Sequence, residues 1–436
     1  MKLTELRRQS AENVWITCIF IAIIAEGALR KWLLPTSLHG VAFLAKDLLG
    51  ICYIAAHGST GRSKYQTIFS ALAYATAGLL FISFTLGLGI SWQSAIVTYK
   101  NAILWPLIGA YIMANTNSRT WNWLSLVSAS TAVAMFVLGG EQFLRPPSSW
   151  LNKYAWSAAG LQTPVATFGG VQGVRATGTF SYIAGMSQFA VFSFLFCLYW
   201  FLHASNLKQK VLLITGCLAA IGCAVESGSR APIVLISLAT IAALALNVAK
   251  IRAVVWIGML VTAVTAVTAI SLENELTIEY VRRWTVDPQE TLRRFTNADL
   301  HGNYWDMLSR NAIGRGLGQG NGYAIFETSV TNQSLAANVY DDGASIAVYE
   351  GGVLGLLAFY LAPCVVAWQV AAGFRSRVSG VRLLAGTLGL VSLLSLVAGV
   401  WHDHNAAAFT WLQIGMWFSL CDALVRRSDG LRLEKG

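Results

Sequence analysis

The sequence predicts an all-α fold, a polytopic bundle of about twelve transmembrane helices. Three observations carry that expectation. Of 436 residues, 55% are hydrophobic and only 12% charged, against about 25% charged in soluble domains. Apolar runs recur at the length of roughly 20 residues that a ~30 Å hydrocarbon core demands. Lys and Arg, finally, gather in alternate connections between those runs.

The runs cover residues 14–34, 41–56, 68–90, 95–114, 122–143, 182–203, 211–226, 231–249, 253–272, 344–370, 381–400 and 406–425. The second is short, and the fourth carries Lys100. With the N-terminus inside, more than half of the 31 Lys and Arg residues fall in cytoplasmic segments, such as Arg7, Arg8, Lys208, Lys210, Arg375 and Arg377. The short outer connections hold only Arg30, Lys31 and Arg230. This asymmetry puts both termini in the cytoplasm. It also accounts for the net charge of +10 by topology, which excludes a nucleic-acid partner and leaves membrane lipids as the surroundings. All seven cysteines lie inside expected helices, so no disulfide framework is implied. The first run is too long for a signal-peptide core and lacks a small-residue cleavage site.

Three regions follow: residues 1–272 with nine helices, a large outer loop at 273–343, and residues 344–436 with three helices and a cytoplasmic tail. A second outer loop covers about 144–181. Long structureless loops are uncommon, so these two are where extramembrane chemistry is expected. In the large loop, residues 301–313 place Tyr304, Leu308 and Ala312 on one stripe, the pattern of a short interfacial helix. It ends in Gly314-Arg315-Gly316-Leu317-Gly318-Gln319-Gly320-Asn321-Gly322. That run lacks the Gly-Lys-Ser/Thr ending of a phosphate loop and follows no strand; a flexible turn leading back to the bundle is the expectation.

Ionisable residues within spanning segments are costly and point to function. Here Glu26, Arg30, Lys31, Lys46, Asp47, Lys100, Glu141, Glu226 and Glu350 all fall in the outer half, and the inner half reads as almost purely apolar. That distribution predicts a cavity open outward, rich enough in cations to take an anionic guest. Local pairing, such as Glu26 with Arg30 at i,i+4, is the competing reading for single residues.

Three segments carry the chemistry: Arg175-Ala176-Thr177-Gly178-Thr179-Phe180 before the sixth helix, the turn Glu226-Ser227-Gly228-Ser229-Arg230-Ala231, and Asp341-Asp342 followed by Glu350 and Gly352-Val353-Leu354-Gly355. Arg175 and Arg230 suit bidentate phosphate recognition, and the two aspartates can accept a proton.

These segments resemble those of the O-antigen polymerase and ligase superfamily, membrane glycosyltransferases of the GT-C class. The resemblance spans roughly residues 175–360, and Glu26-Gly27-Ala28-Leu29-Arg30-Lys31-Trp32 is similar to a segment of exopolysaccharide-polymerase relatives. Where the family's ligases have His, this chain has Asp341, which favours a polymerase-type member. The resemblance implies a polyprenyl-diphosphate-linked oligosaccharide as donor and a second as acceptor, at the outer face of a bacterial inner membrane. It implies Arg175 and Arg230 at the departing diphosphate, and Asp341 or Asp342 as base. Arg30, Lys46, Lys100, Glu350, His402 and His404 are the candidate substrate-binding residues. Trp284, Tyr304 and Trp305 could stack on sugars, although interfacial anchoring suits them better. No cofactor is expected, and other polysaccharide export proteins are candidate partners.

His402-Asp403-His404 is a weak metal pattern, and arginines at a diphosphate make a metal unnecessary. A ligase moving glycan to lipid or protein is the alternative within the class. A polysaccharide or lipid transporter would instead show charges at mid-depth and paired broken helices, and a non-enzymatic scaffold would leave the outer charges unexplained.

Overall fold

The computed structural model describes residues 3–57, 64–154, 165–167, 174–246, 307–319, 343–399 and 403–433, of which 3–10 and 427–433 are described by backbone only. Among these residues there is no β-strand, only an isolated antiparallel bridge between Thr167 and Val174. The helices are α1 (Leu3–Ala28), α2 (His39–His57), α3 (Lys64–Leu88), α4 (Trp92–Asn115), α5 (Ser118–Leu144), α6 (Ile183–His203), α7 (Leu207–Glu226), α8 (Arg230–Leu246), α9 (Gly343–Phe374), α10 (Ser379–Val397) and α11 (His404–Leu433). Ten of them are long and apolar enough to cross a membrane, and α8 is a shorter apolar helix. The chain is therefore a multi-pass membrane protein with an all-α bundle. The expected span at 253–272 lies outside the described residues.

Burial sorts the helices. Residues 404–421 of α11 are buried on every side, as is most of α6, so these two form the axis of the bundle. A helix apolar all round belongs at such a centre. The outer helices turn large apolar side chains outward, among them Val14, Ile21, Leu48, Phe81 and Val137, where lipid is the solvent they suit. Around the axis, α3 lies along α4, α7 lies against α5 and α6, and α11 runs between α4 and α6.

Along the axis, helices are stitched by uncharged polar pairs, which lipid cannot satisfy and which therefore bond across helices. Gln188 of α6 donates to Thr410 of α11 (3.1 Å) and Ser395 of α10 (3.4 Å), and Gln413 donates to Ser392 (2.8 Å). Phe20, Phe180, Phe189, Phe192 and Phe409 form one aromatic cluster beside them.

The expectation of an apolar inner half needs one correction. In the first half of α1 and at the end of α2, buried Glu12 pairs with His57 Nε2 at 2.7 Å, and Tyr53 donates to the same carboxylate at 3.3 Å. Glu12 precedes the first apolar run and His57 follows the second, so both read as connection residues in the sequence. Packing of α1 on α2 draws them together.

Candidate functional site

The opposite end of the bundle, where α1 finishes and α2 begins, gathers the predicted cations. The last turn of α1 widens into a π-helical turn, Leu29–Leu33, a geometry frequent at functional sites. Arg30 stays one turn from Glu26 and donates to its Oε1 (2.8 Å). Lys46, on α2, donates to the other oxygen, Oε2 (2.9 Å), and is fully buried. Asp47, the next residue, points the other way and accepts from Lys100 of α4. His404, at the start of α11, lies 2.7 Å from Asn101 Oδ1 and 3.4 Å from Lys100 Nζ through Nδ1. Arg30, Lys46, Lys100 and His404 are thus one cluster, with Glu26 and Asp47 as internal counter-charges. Charges this deep need such partners, because an unpaired ion out of water is prohibitively costly.

Lys31 has a different place. Its ammonium donates to Thr177 Oγ1 (2.9 Å), Gly178 O (2.7 Å) and Phe180 O (2.9 Å). It clamps the Arg175–Phe180 segment onto α1. Gln142 of α5 completes the clamp: its Oε1 accepts from the Thr177 and Gly178 amides, and its Nε2 donates to Gly178 O. Gly178 sits at φ +55 and Gly27 of α1 lies against the backbone of Thr179–Ser181, so both positions need glycine.

The first two motifs meet. Arg175 Nε donates to Ser227 O (3.0 Å), and the Ala176 amide donates to Glu226 O (2.9 Å). Arg230 opens α8 three residues later. Both arginines are half-buried. Tyr154 donates to Arg175 O (3.4 Å), and burial pushes its phenol up to about 12, so it stays a donor at neutral pH. Glu226 is buried against Gly139 and Gly140 of α5, which leave room for its carboxylate. The clamped segment also reaches the charged cluster, since Arg30 donates to Ser181 Oγ (3.3 Å).

Glu350 lies in α9 just before a break. Gly352 is non-helical (φ 56, ψ −136), and the described part of the glycine run, residues 314–319, packs at the gap. The Arg315 and Gly316 amides donate to Tyr349 O and Glu350 O, Val353 donates to Ala312 O, and the Leu317 amide donates to Ser83 O of α3. Gly314, Gly316 and Gly318 all have positive φ and touch the backbone of α9, α3 and α4 respectively. This corrects the expectation of a flexible turn for residues 314–319, which form a wedge, buried at Gly314, Gly316, Leu317 and Gly318, that caps a broken helix; residues 320–322 lie outside the described residues. Glu350 lines a narrow cavity with Thr98, Asn101 and Leu317, and Asn101 also lies against His404.

Asp341, Asp342 and His402 lie outside the described residues, as do Trp284, Tyr304 and Trp305. Asp403 caps α11 by accepting from the Asn405 and Ala406 amides (3.1 and 2.9 Å), and burial raises its carboxyl above the ordinary value. Among the described residues no group of three or more His, Cys, Asp and Glu is arranged to hold a metal.

Asn101, Gln142 and Phe43, whose ring stacks on that of His404 with centroids 4.0 Å apart, escaped sequence reasoning. Asn101 and Gln142 are amides in apolar helices, and only their neighbours Lys100 and Glu141 hinted at them. Phe43 gave no signal at all. No protein-family model matches the chain, and no curated protein matches it either.

Proposed function

We propose that the chain is a polysaccharide polymerase of the GT-C class with about twelve spans, joining polyprenyl-diphosphate-linked oligosaccharides at the outer face of a bacterial inner membrane. The observation that supports it best is the junction of Arg175 with the Ser227–Arg230 turn, tied through Ser181 to the Arg30–Lys46–Lys100 cluster. Two half-buried guanidinium groups on neighbouring segments suit a diphosphate, which arginine grips through paired N–H groups.

In the proposed reaction, a hydroxyl of the acceptor oligosaccharide attacks the anomeric carbon of the donor. The carbon–oxygen bond to diphosphate breaks and its electron pair leaves with the diphosphate. Arg175 and Arg230 stabilise that developing charge, the form of catalysis worth most in a water-poor site. Asp341 or Asp342 takes the hydroxyl proton. Anchoring of Arg175 Nε on a backbone carbonyl fixes its plane in advance, so little ordering remains to be done when the donor arrives.

The break in α9 beside Glu350 is the one feature that favours a second reading, a transporter, since broken helices mark transport sites. Purified protein given polyprenyl-diphosphate oligosaccharide separates the readings. A ladder of products means polymerase, and a single transfer to another acceptor means ligase. No product, with passage of the lipid-linked sugar across liposomes, means transporter. Arg175→Ala and Arg230→Ala are each expected to abolish the ladder while the protein still inserts; wild-type chain lengths from both would remove the roles given to them.

A further inference from the structure

Trp150 is 60% exposed, yet the backbone beneath it is tightly built. It opens a 3₁₀ turn, Trp150–Asn152, whose other two residues are buried. Two consecutive prolines, Pro146 and Pro147, fix φ just ahead of it. The buried Asn152 amide reaches back to Gln142 O (3.0 Å), Arg145 O (3.0 Å) and Pro146 O (2.9 Å). Gln142 answers through Nε2, which donates to Leu151 O (3.1 Å) and to Gly178 O (3.0 Å). One side-chain amide thus ties the Trp150 turn directly to the segment that carries Arg175.

The ring itself meets Trp32 at 71°, with centroids 6.3 Å apart. Such an edge-to-face contact uses at most one face of Trp150. Trp32 lies in turn against Lys31, whose ammonium sits 4.6 Å from its ring and donates to Gly178 O. Glu141 and Arg145 form an exposed ion pair on the last turn of α5, just ahead of the two prolines. A second exposed ring, Tyr182, packs on Tyr154 (5.6 Å), whose hydroxyl donates to Arg175 O. Both exposed rings are therefore mounted on groups that also hold the Arg175–Phe180 segment.

Interfacial anchoring explains an exposed Trp but not its rigid mount. An anchor needs only an amphipathic ring at headgroup depth, and a loose loop supplies that. A fixed aromatic face is what a sugar ring needs. The axial C–H bonds of a pyranose carry small positive charge and meet the electron-rich face of an indole, while nearby carboxylate and guanidinium groups bond its hydroxyls. A ring that is already immobilised loses little freedom on contact.

We infer that Trp150, supported by Trp32, is a saccharide-stacking subsite: it takes a pyranose unit of the lipid-linked oligosaccharide, away from the carbon that reacts. The presence of that oligosaccharide rests on the function proposed above, whereas the subsite is tested by binding alone.

Full-length protein in detergent is titrated with two ligands, polyprenyl diphosphate carrying an oligosaccharide and bare polyprenyl diphosphate. Wild type is expected to bind the first more tightly. Trp150→Ala is expected to weaken that ligand about five- to ten-fold, the range for a truncated interface aromatic, and to leave the bare lipid unchanged. Trp150→Phe, which keeps an aromatic face, is expected to recover most of the loss; Trp150→Leu, apolar but not aromatic, is expected to behave like the Ala variant. Equal weakening of both ligands would mean that the ring acts through the fold or the membrane, and overturns the inference. Unchanged affinity of Trp150→Ala for the oligosaccharide-bearing lipid overturns it too, as does a wild type that binds the two ligands equally or binds neither. Glycan-dependent weakening in a protein that yields no product ladder upholds the subsite and defeats the polymerase reading instead.

Discussion

Glu26 is the carboxylate on which the charged cluster turns, and its replacement by Gln has a calculable cost. Each of its oxygens serves a different cation, Arg30 at 2.8 Å and Lys46 at 2.9 Å. The two cations differ in exposure: the Arg30 side chain is 13% exposed and also reaches Ser181, whereas Lys46 is 0% exposed. Gln keeps the shape and removes the charge, so the penalty falls chiefly on Lys46, a buried ammonium left without its counter-ion. Breaking one side of a buried pair costs about 3–5 kcal/mol. For a chain of this length each kcal/mol is worth about 1 °C in the unfolding midpoint, so Glu26→Gln is expected to unfold about 3–5 °C lower. Removing both partners, in Glu26→Gln with Lys46→Met, takes away the stranded charge and is expected to recover most of the loss, since a buried pair replaced by neutral groups is often nearly neutral in stability. Intrinsic fluorescence of the 16 Trp residues in detergent follows both. A single variant within ~1 °C of wild type, or a double variant no better than the single, would refute the reasoning.

Three further substitutions probe the elements that hold the site. Gly27→Ala sets a methyl against the backbone of Thr179–Ser181, which cannot swing aside as a side chain would; overpacking of this kind costs about 1–3 kcal/mol, and both a lower unfolding midpoint and loss of the product ladder are expected. Gly316→Ala forces a side chain into φ +106 against the Gly87 amide; strain of roughly 1–3 kcal/mol should loosen the wedge, read as faster hydrogen exchange at the amides of 315–317. Asp403 has its carboxyl raised by burial, so the folded state holds that proton more tightly than the unfolded chain. The stability this contributes is complete below the ordinary carboxyl value of about 3.9 and fades as pH rises through the raised one. Asp403→Asn, which keeps a capping oxygen, should lose that part of the pH dependence in unfolding midpoints taken upward from pH ~4.

Helices were legible here because lipid imposes a single rule, and a run such as 122–143 has no competing reading. The cations were legible for the same reason, since Lys46 and Lys100 stand out against apolar neighbours. Their partners were harder to read. Lys46 pairs with Glu26, twenty residues away on another helix, and not with adjacent Asp47. Consecutive residues on a helix point about 100° apart, so Lys46 and Asp47 cannot share a partner and instead join α2 to α1 and to α4. The motif Arg175-Ala176-Thr177-Gly178-Thr179-Phe180 shows the same limit. Read as a string, it offers one cation and some small residues. In the fold, Lys31 and Gln142 make five hydrogen bonds with the Thr177 and Gly178 backbone and hydroxyl groups alone. Thr177 and Gly178 are therefore scaffold, and Arg175 is the residue being held. A short motif of this kind records a backbone shape as much as a chemistry. Conservative changes at Lys31, which never contacts Arg175 in any bond described above, should for that reason damage the site as much as changes to the arginine's immediate neighbours.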